Sequence, residues 1–158
     1  MTKSRSKWGA LAVAGLAIAV LAGGATAGAI TADAIYDATG VRGGLLVQLG
    51  CGDGTLTADL RASDRYLVQG LDTDPVRVAA ARELLHSKGV YGPVTAEVFD
   101  GRRLPYVGDL VNLVIAEDPG EVTMDEVLRV LAPGGVAYIR QGDGWQKTVK
   151  PRPGDIDE

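Results

Sequence analysis

Leu45-Leu46-Val47-Gln48-Leu49-Gly50-Cys51-Gly52-Asp53-Gly54, residues 45–54, reads as a buried strand running straight into a glycine turn. Leu45, Leu46, Val47 and Leu49 form a short apolar run suited to the middle of a parallel sheet. Gly50, Gly52 and Gly54 then alternate with Cys51 and Asp53. Glycines at this density let the backbone turn sharply and let a ligand approach without meeting a Cβ. Thr55 to Leu60 follows with helical spacing of its leucines. The loop is therefore expected to open a helix whose free N–H groups face a ligand. In outline this is a nucleotide-type cofactor site.

Spacing narrows the ligand. In the dinucleotide fingerprint G-x-G-x-x-G the third glycine would fall at position 55, which is Thr55. A phosphate-cradling P-loop needs Gly-Lys-Ser/Thr, and no lysine is near. Downstream, Leu67 to Asp72 reads as a second strand ending in an acid, 18 residues past Gly54. That is close to the ~20 expected for a ribose-binding carboxylate. Asp74-Pro75 supplies an N-cap and a first-turn proline for a helix reaching Lys88, with Gly89 as its stop. Thr95 to Phe99 alternates as a third strand and ends in Asp100-Gly101, followed by Leu104-Pro105-Tyr106. Leu110 to Ala116 is a fourth strand. Thr123 to Glu126 has capping-box spacing before Glu126-Val-Leu-Arg-Val-Leu-Ala-Pro-Gly-Gly135, which leads into Val136 to Ile139.

The G-x-G-x-G turn after a strand, the acid ending the second strand, Asp100-Gly101 with its LP-aromatic segment, and the RVL-PGG turn resemble class I S-adenosylmethionine (SAM)-dependent methyltransferases of the type 11-like kind. The resemblance covers Leu45 to Arg140. It implies an α/β fold, a Rossmann-like doubly wound parallel sheet with its site at the carboxyl ends of the strands. It also implies SAM as cofactor, with methyl transfer to an unknown acceptor. The cofactor residues it implies are Gln48, Gly50, Cys51, Gly52, Gly54, Asp72, Thr73, Asp100 and Gly101. Asp72 would take the ribose hydroxyls, and the acid at Asp100 would face the adenine amino group. Two positions depart from the family pattern: Gln48 stands where an acid usually helps hold the methionine part, and Asn112 stands where Asp is frequent.

Glu117 and Asp118 follow the fourth strand, where the methyl acceptor is expected, and are weak candidates for a general base. Two acids before Pro119-Gly120 equally suit a plain turn. Cys51 has no cationic neighbour in sequence to activate it, and the single histidine, His86, falls among surface residues of a helix. Neither has the company that a metal site or a nucleophilic triad requires, so no metal is expected.

The chain has 158 residues and opens with Lys3, Arg5 and Lys7, an apolar run from Trp8 to Leu21, and Ala25-Thr26-Ala27. This is a secretory signal pattern with cleavage expected after Ala27. The alternative is an uncut membrane anchor through residues 8–30. Either form places the domain outside the cytosol, periplasmic or extracellular if cut and anchored to the inner membrane if not. Removing the leader leaves 131 residues, enough for one domain. The whole chain's net charge of −4 becomes about −7 without the leader's three cations, which disfavours a nucleic-acid partner. The domain is read over 28–145, with residues 146–158 as a polar, proline-containing tail and a possible strand at Trp145 to Val149. The sheet is expected to stop after its fifth or sixth strand, two strands being usual beyond the fifth in this class. The ending also resembles exported bacterial proteins in which such a domain precedes a quinoprotein-like (PQQ-binding-type) β-propeller. A non-catalytic exported module with this fold is the alternative function. A dinucleotide-dependent oxidoreductase is disfavoured by the glycine spacing.

Overall fold

The structure, a computed structural model, describes residues 28–155. Its elements in chain order are α1 (Ala32–Thr39), β1 (Gly44–Leu49), α2 (Thr55–Asp59), β2 (Tyr66–Asp72), α3 (Pro75–Ser87), β3 (Val94–Val98), β4 (Val111–Ala116), α4 (Met124–Val130), β5 (Leu131–Gln141) and β6 (Gly144–Val149), before a short 3₁₀ turn at Pro153–Asp155. The leader expected over 1–27 lies outside the described residues. Among the described residues, no helix is long and apolar enough to cross a membrane.

Local chemistry accounts for the helix ends. Thr31 caps α1 by accepting the Ala34 amide, and Asp74 caps α3 by accepting the Val76 amide at 2.8 Å with Pro75 in the first turn. Thr123 caps α4 through the Glu126 amide at 3.2 Å. The expected capping box closes only halfway, because the Glu126 carboxylate turns away to accept the Leu104 amide at 2.8 Å and to pair with Arg129.

The strands form one sheet in the order β3-β2-β1-β4-β5-β6. The first five are parallel, and β6 returns antiparallel to β5. The mostly parallel, Rossmann-like fold expected from the sequence is thus the fold observed, with an antiparallel sixth strand at one edge. Gln146 to Val149, assigned above to the tail, belong to β6, where Tyr138 stacks on Trp145 with centroids 5.0 Å apart. The Pro-Gly-Gly segment lies within β5 and bulges it: Val111 pairs with Leu131, but Leu113 pairs with Val136.

Alternation along the strands feeds two cores. On one face Leu46, Leu113 and Ile115 meet Ile35 of α1, Ala58 of α2, and Val78, Ala81 and Leu85 of α3. On the other, Val47, Leu49, Val114 and Ala137 meet Val127 and Val130 of α4. Helices on both faces are what a parallel sheet needs to bury its strands. The connection from β3 to β4 carries no helix; Leu104 fills that face and is fully buried. Arg129 holds this connection by donating to the Tyr106 carbonyl at 2.9 Å and the Leu104 carbonyl at 3.1 Å.

The chain leaves β1 toward β2 and β3 on one side and returns to β4 and β5 on the other. The crevice at the carboxyl ends of β1 and β4 is therefore the switch point where ligands of open α/β sheets bind.

Candidate functional site

Two depressions meet at this crevice and share Gly50. The first, about 470 Å³, has a wall of Gly50, Asp72, Thr73, Arg77, Asp100 and Gly101, faced by Asp118 and Glu121 from beyond β4. The second, about 510 Å³, is lined by Ile30, Gln48, Cys51, Asp53, Leu56 and Glu117 among others. The sheet thus gathers most of the sequence-predicted site residues at one end of its strands.

The glycines divide into two kinds. Gly50 and Gly52 have φ of +76° and +55°, and a Cβ on either would stand in open space. Gly54, at φ +85°, is different: its Cβ would lie 2.9 Å from Ala81 of α3. Gly54 is a close-packing residue between α2 and α3; like Gly52, it is not among the residues lining the two depressions.

The loop amides also differ from expectation. Gly50 and Cys51 both donate to the Leu71 carbonyl, at 2.7 and 3.2 Å. Gly54 donates to the Cys51 carbonyl, and the Thr55 amide at the start of α2 is taken by Asp53 Oδ1 at 2.9 Å. These N–H groups serve the turn itself rather than a bound anion. The hydrogen bonds from Thr55 hold the Asp53 carboxyl below the usual carboxylate range.

Asp72 is buried at 4% exposure; Oδ2 accepts the Gly52 amide at 3.3 Å, and Oδ1 accepts the Asp74 amide at 3.0 Å. Arg77 approaches it to 3.9 Å and Asp74 to 3.6 Å. Sequence reasoning passed over Arg77; its spacing of three from Asp74 on a helix was the available signal. Asp100 uses Oδ1 to accept the amides of Arg102 and Arg103, both at 2.8 Å, which lowers its pKa. Gly101 packs against Thr73, whose Cγ2 would lie 2.9 Å from an added Cβ.

Gln48 is buried at 7% exposure and bridges β1 to α2. The Thr57 hydroxyl donates to its Oε1 at 2.7 Å, while its Nε2 donates to the Gly50 carbonyl at 3.4 Å. Its amide thus fixes the glycine turn that an acid here could not hold in the same way. Asn112 lies at the opposite end of the sheet from the crevice, accepting the Leu45 amide at 2.9 Å. The departure noted at Asn112 therefore does not bear on the site. It answers instead to Gly44, where an added Cβ would stand 2.1 Å from Asn112 Oδ1.

No strongly activated catalytic group emerges among the described residues. Burial, then the Asp72 charge, pushes the Cys51 thiol up to about 11, so it stays protonated at neutral pH. Glu117 and Asp118 are exposed, and Asp118 closes a turn by accepting the Gly120 amide at 2.9 Å. Glu121 is ion-paired with Arg102. Chemistry at this crevice would rest on positioning rather than on a tuned base.

Fold and crevice define a Rossmann-like α/β protein with a ligand cleft at its switch point. A methyltransferase-domain family matches residues 46–135, and the chain belongs to that family. No curated protein matches it by sequence. Among solved structures, it is similar to geranyl diphosphate C-methyltransferase from Streptomyces coelicolor A3(2), solved with Mg2+, geranyl diphosphate and S-adenosyl-L-homocysteine. The TM-score is 0.62 at 20% identity over 68% of this chain and 43% of that one. The [4+2]-cyclase SpnF gives a TM-score of 0.62 at 25% identity over 70% of this chain and 45% of its own. The YcgJ protein of Bacillus subtilis gives 0.58 at 20% identity over 68% and 48%. The chain spans about half the length of the solved structures it matches. A cyclase among them illustrates that this fold does not fix the chemistry performed on it.

Proposed function

We propose that the protein binds S-adenosyl-L-methionine and transfers its methyl group to an acceptor other than a nucleic acid. The observation that carries this reading is the single wall formed by Gly50, Asp72, Thr73, Asp100 and Gly101. The residues suit the group: the space beside Gly50 and Gly52 is open, and two acids stand at the ends of β2 and β3. Asp72 would hold the ribose hydroxyls, Asp100 with Gly101 the adenine edge, and the pocket beside Gln48 the amino-acid end. The cofactor supplies an electrophilic methyl on a sulfonium sulfur. The chain's own part is to orient that ligand and, with Asp72, Asp100, Asp118 and Glu121 around it only partly offset by Arg77 and Arg102, to favour a cation over a pyrophosphate. The same acidic wall and the inward-turned loop amides weigh against a dinucleotide.

Titration calorimetry of residues 28–158 with S-adenosylhomocysteine, beside a thermal shift, tests the reading. Ligand at 100 times its dissociation constant should add about 2.7 kcal/mol of stability. A folded sample that takes up no ligand refutes the cofactor assignment. It would favour a non-catalytic module, a second reading supported by the exposed, turn-forming acids after β4.

We also propose that the protein is exported, on the strength of Lys3, Arg5 and Lys7, the Trp8 to Leu21 run and Ala25-Thr26-Ala27. Cleavage after Ala27 would release it, and an uncut leader would anchor it through residues 8–30. The likeness of its ending to bacterial proteins that carry a quinoprotein-like propeller adds a propeller as a proposed neighbour. Signal-peptidase processing, read by the mass of the secreted chain, tests the leader.

A further inference from the structure

Among the described residues that line the first depression, Arg77 is the only cation, in company with Asp72, Asp100, Asp118 and Glu121. It sits in the first turn of α3, the helix that Asp74 caps through its Oδ1. Its guanidinium is spread between two carboxylates: Nε faces Asp74 Oδ2 at 3.6 Å, and Nη1 faces Asp72 Oδ2 at 3.9 Å. Both separations are too long for a hydrogen bond. The Arg77 side chain is 63% exposed while Asp72 is buried, so the pairs contribute little to folding. What they do is aim the fork: one end is steadied by Asp74, and the other stands over Asp72 at the cleft wall.

We propose that Arg77 is a specificity residue of the cofactor site: it donates to the same ribose hydroxyl that Asp72 accepts from, and the two side chains together select a ribose over a deoxyribose.

The gap fits one hydroxyl. Each Asp72 oxygen accepts a single backbone amide, from Gly52 or from Asp74, and so keeps a lone pair for a ligand. An oxygen about 2.8 Å from both Asp72 Oδ2 and Arg77 Nη1, held 3.9 Å apart, would subtend about 90° between them. That leaves room for a hydroxyl to give its proton to the carboxylate and to offer a lone pair to the guanidinium. Both bonds are charge-assisted, hence stronger than neutral ones. A deoxyribose carbon supplies neither, and it would leave an anion and a cation facing an apolar group. Lysine at this position would carry the charge without a fork that one acid can hold while the other end reaches the ligand.

This role rests on the cofactor reading above, in which Asp72 is the ribose contact. Calorimetric titration of the full chain and of Arg77→Met with S-adenosylhomocysteine and with its 2′-deoxy and 3′-deoxy counterparts tests it. Methionine keeps an unbranched stem and removes every donor. The parent should prefer S-adenosylhomocysteine over one of the deoxy ligands about a hundredfold, and Arg77→Met should cut that preference about tenfold. A purely structural part for Arg77 would weaken all three ligands alike and leave the preference unchanged, which overturns the proposal. So does a variant that binds all three as the parent does. A parent that takes up none of the three refutes the cofactor reading and Arg77's role together. That result is distinct from tight binding of S-adenosylhomocysteine with an unaltered preference, which removes Arg77's role alone.

Discussion

Oδ2 of Asp72 accepts the backbone amide of Gly52 at 3.3 Å, so the acid that ends β2 also holds the middle of the glycine turn that follows β1. Neighbouring strands are thereby tied at the point where a ligand would cross between them. An acid read from sequence as a ribose contact has a second duty that sequence spacing does not announce.

That double duty separates two substitutions. Asp72→Ala strips acceptors from the amides of Gly52 and Asp74 and should lower stability by about 1–3 kcal/mol as well as abolish adenosyl-ligand binding. Asp72→Asn keeps one acceptor oxygen and the side chain's shape. It should cost less stability than Asp72→Ala, since one amide keeps its acceptor while the other faces the new NH2 group, and it should still lose most affinity. Urea denaturation beside calorimetric titration checks both, and unchanged affinity in Asp72→Asn removes the ribose assignment.

Gly52 and Gly54 should fail in different ways. A side chain at Gly54 meets Ala81 at 2.9 Å on top of an unfavourable positive φ, so Gly54→Ala should cost about 2–4 kcal/mol of stability. Gly52→Val meets nothing within 4 Å and should cost only about 1–2 kcal/mol, from φ alone, while blocking the ligand. Thermal denaturation paired with ligand titration distinguishes them; a Gly54→Ala protein as stable as the parent would refute the packing role.

Replacing Gln48 by Glu puts a carboxyl at a buried position and removes the amide donor to the Gly50 carbonyl. Burial raises that carboxyl's pKa in the folded state, so the variant matches the parent best below about pH 4. It loses stability as pH rises through the raised folded value, by about 1–3 kcal/mol at pH 7. Denaturation midpoints from pH 3.5 to 8 measure this. A deficit that does not grow with pH would show that the glutamate is never buried.

Glu126 gives the opposite sign. The Arg129 guanidinium, with the Leu104 amide also contributing, holds its carboxyl below the usual range. Its contribution is therefore present above the ordinary carboxylate pKa and lost as pH falls through the lowered folded value. Glu126→Gln should be about 1–2 kcal/mol less stable than the parent at pH 7, with the gap closing in acid. Because Glu126 and Arg129 together hold Leu104 and Tyr106, the variant should also speed hydrogen exchange in the β3–β4 connection.

The strand-turn-helix order, the acid after β2, the Asp74-Pro75 start and the stop near Gly89 were all legible, because each rests on local chemistry within a few residues. Contacts made across the sheet were not. Asn112 looked like a site position from its place in the motif, but strand register carries it to the far end, against Gly44. Gly54 looked like its two neighbours in sequence, and only the approach of α3 sets it apart. Glu126 has the spacing of a capping box, yet Arg129, three positions along the same helix, and the Leu104 amide draw it away. The antiparallel direction of β6 followed from its short hairpin to β5, for which Gly142 to Gly144 was the only local sign.

The Leu71 carbonyl, by accepting the amides of both Gly50 and Cys51, gives the glycine turn its shape without help from any ligand. A turn already ordered by the sheet asks no loop entropy of the molecule that binds there. Association should therefore be governed by diffusion into an open crevice rather than by waiting for a rare loop conformation.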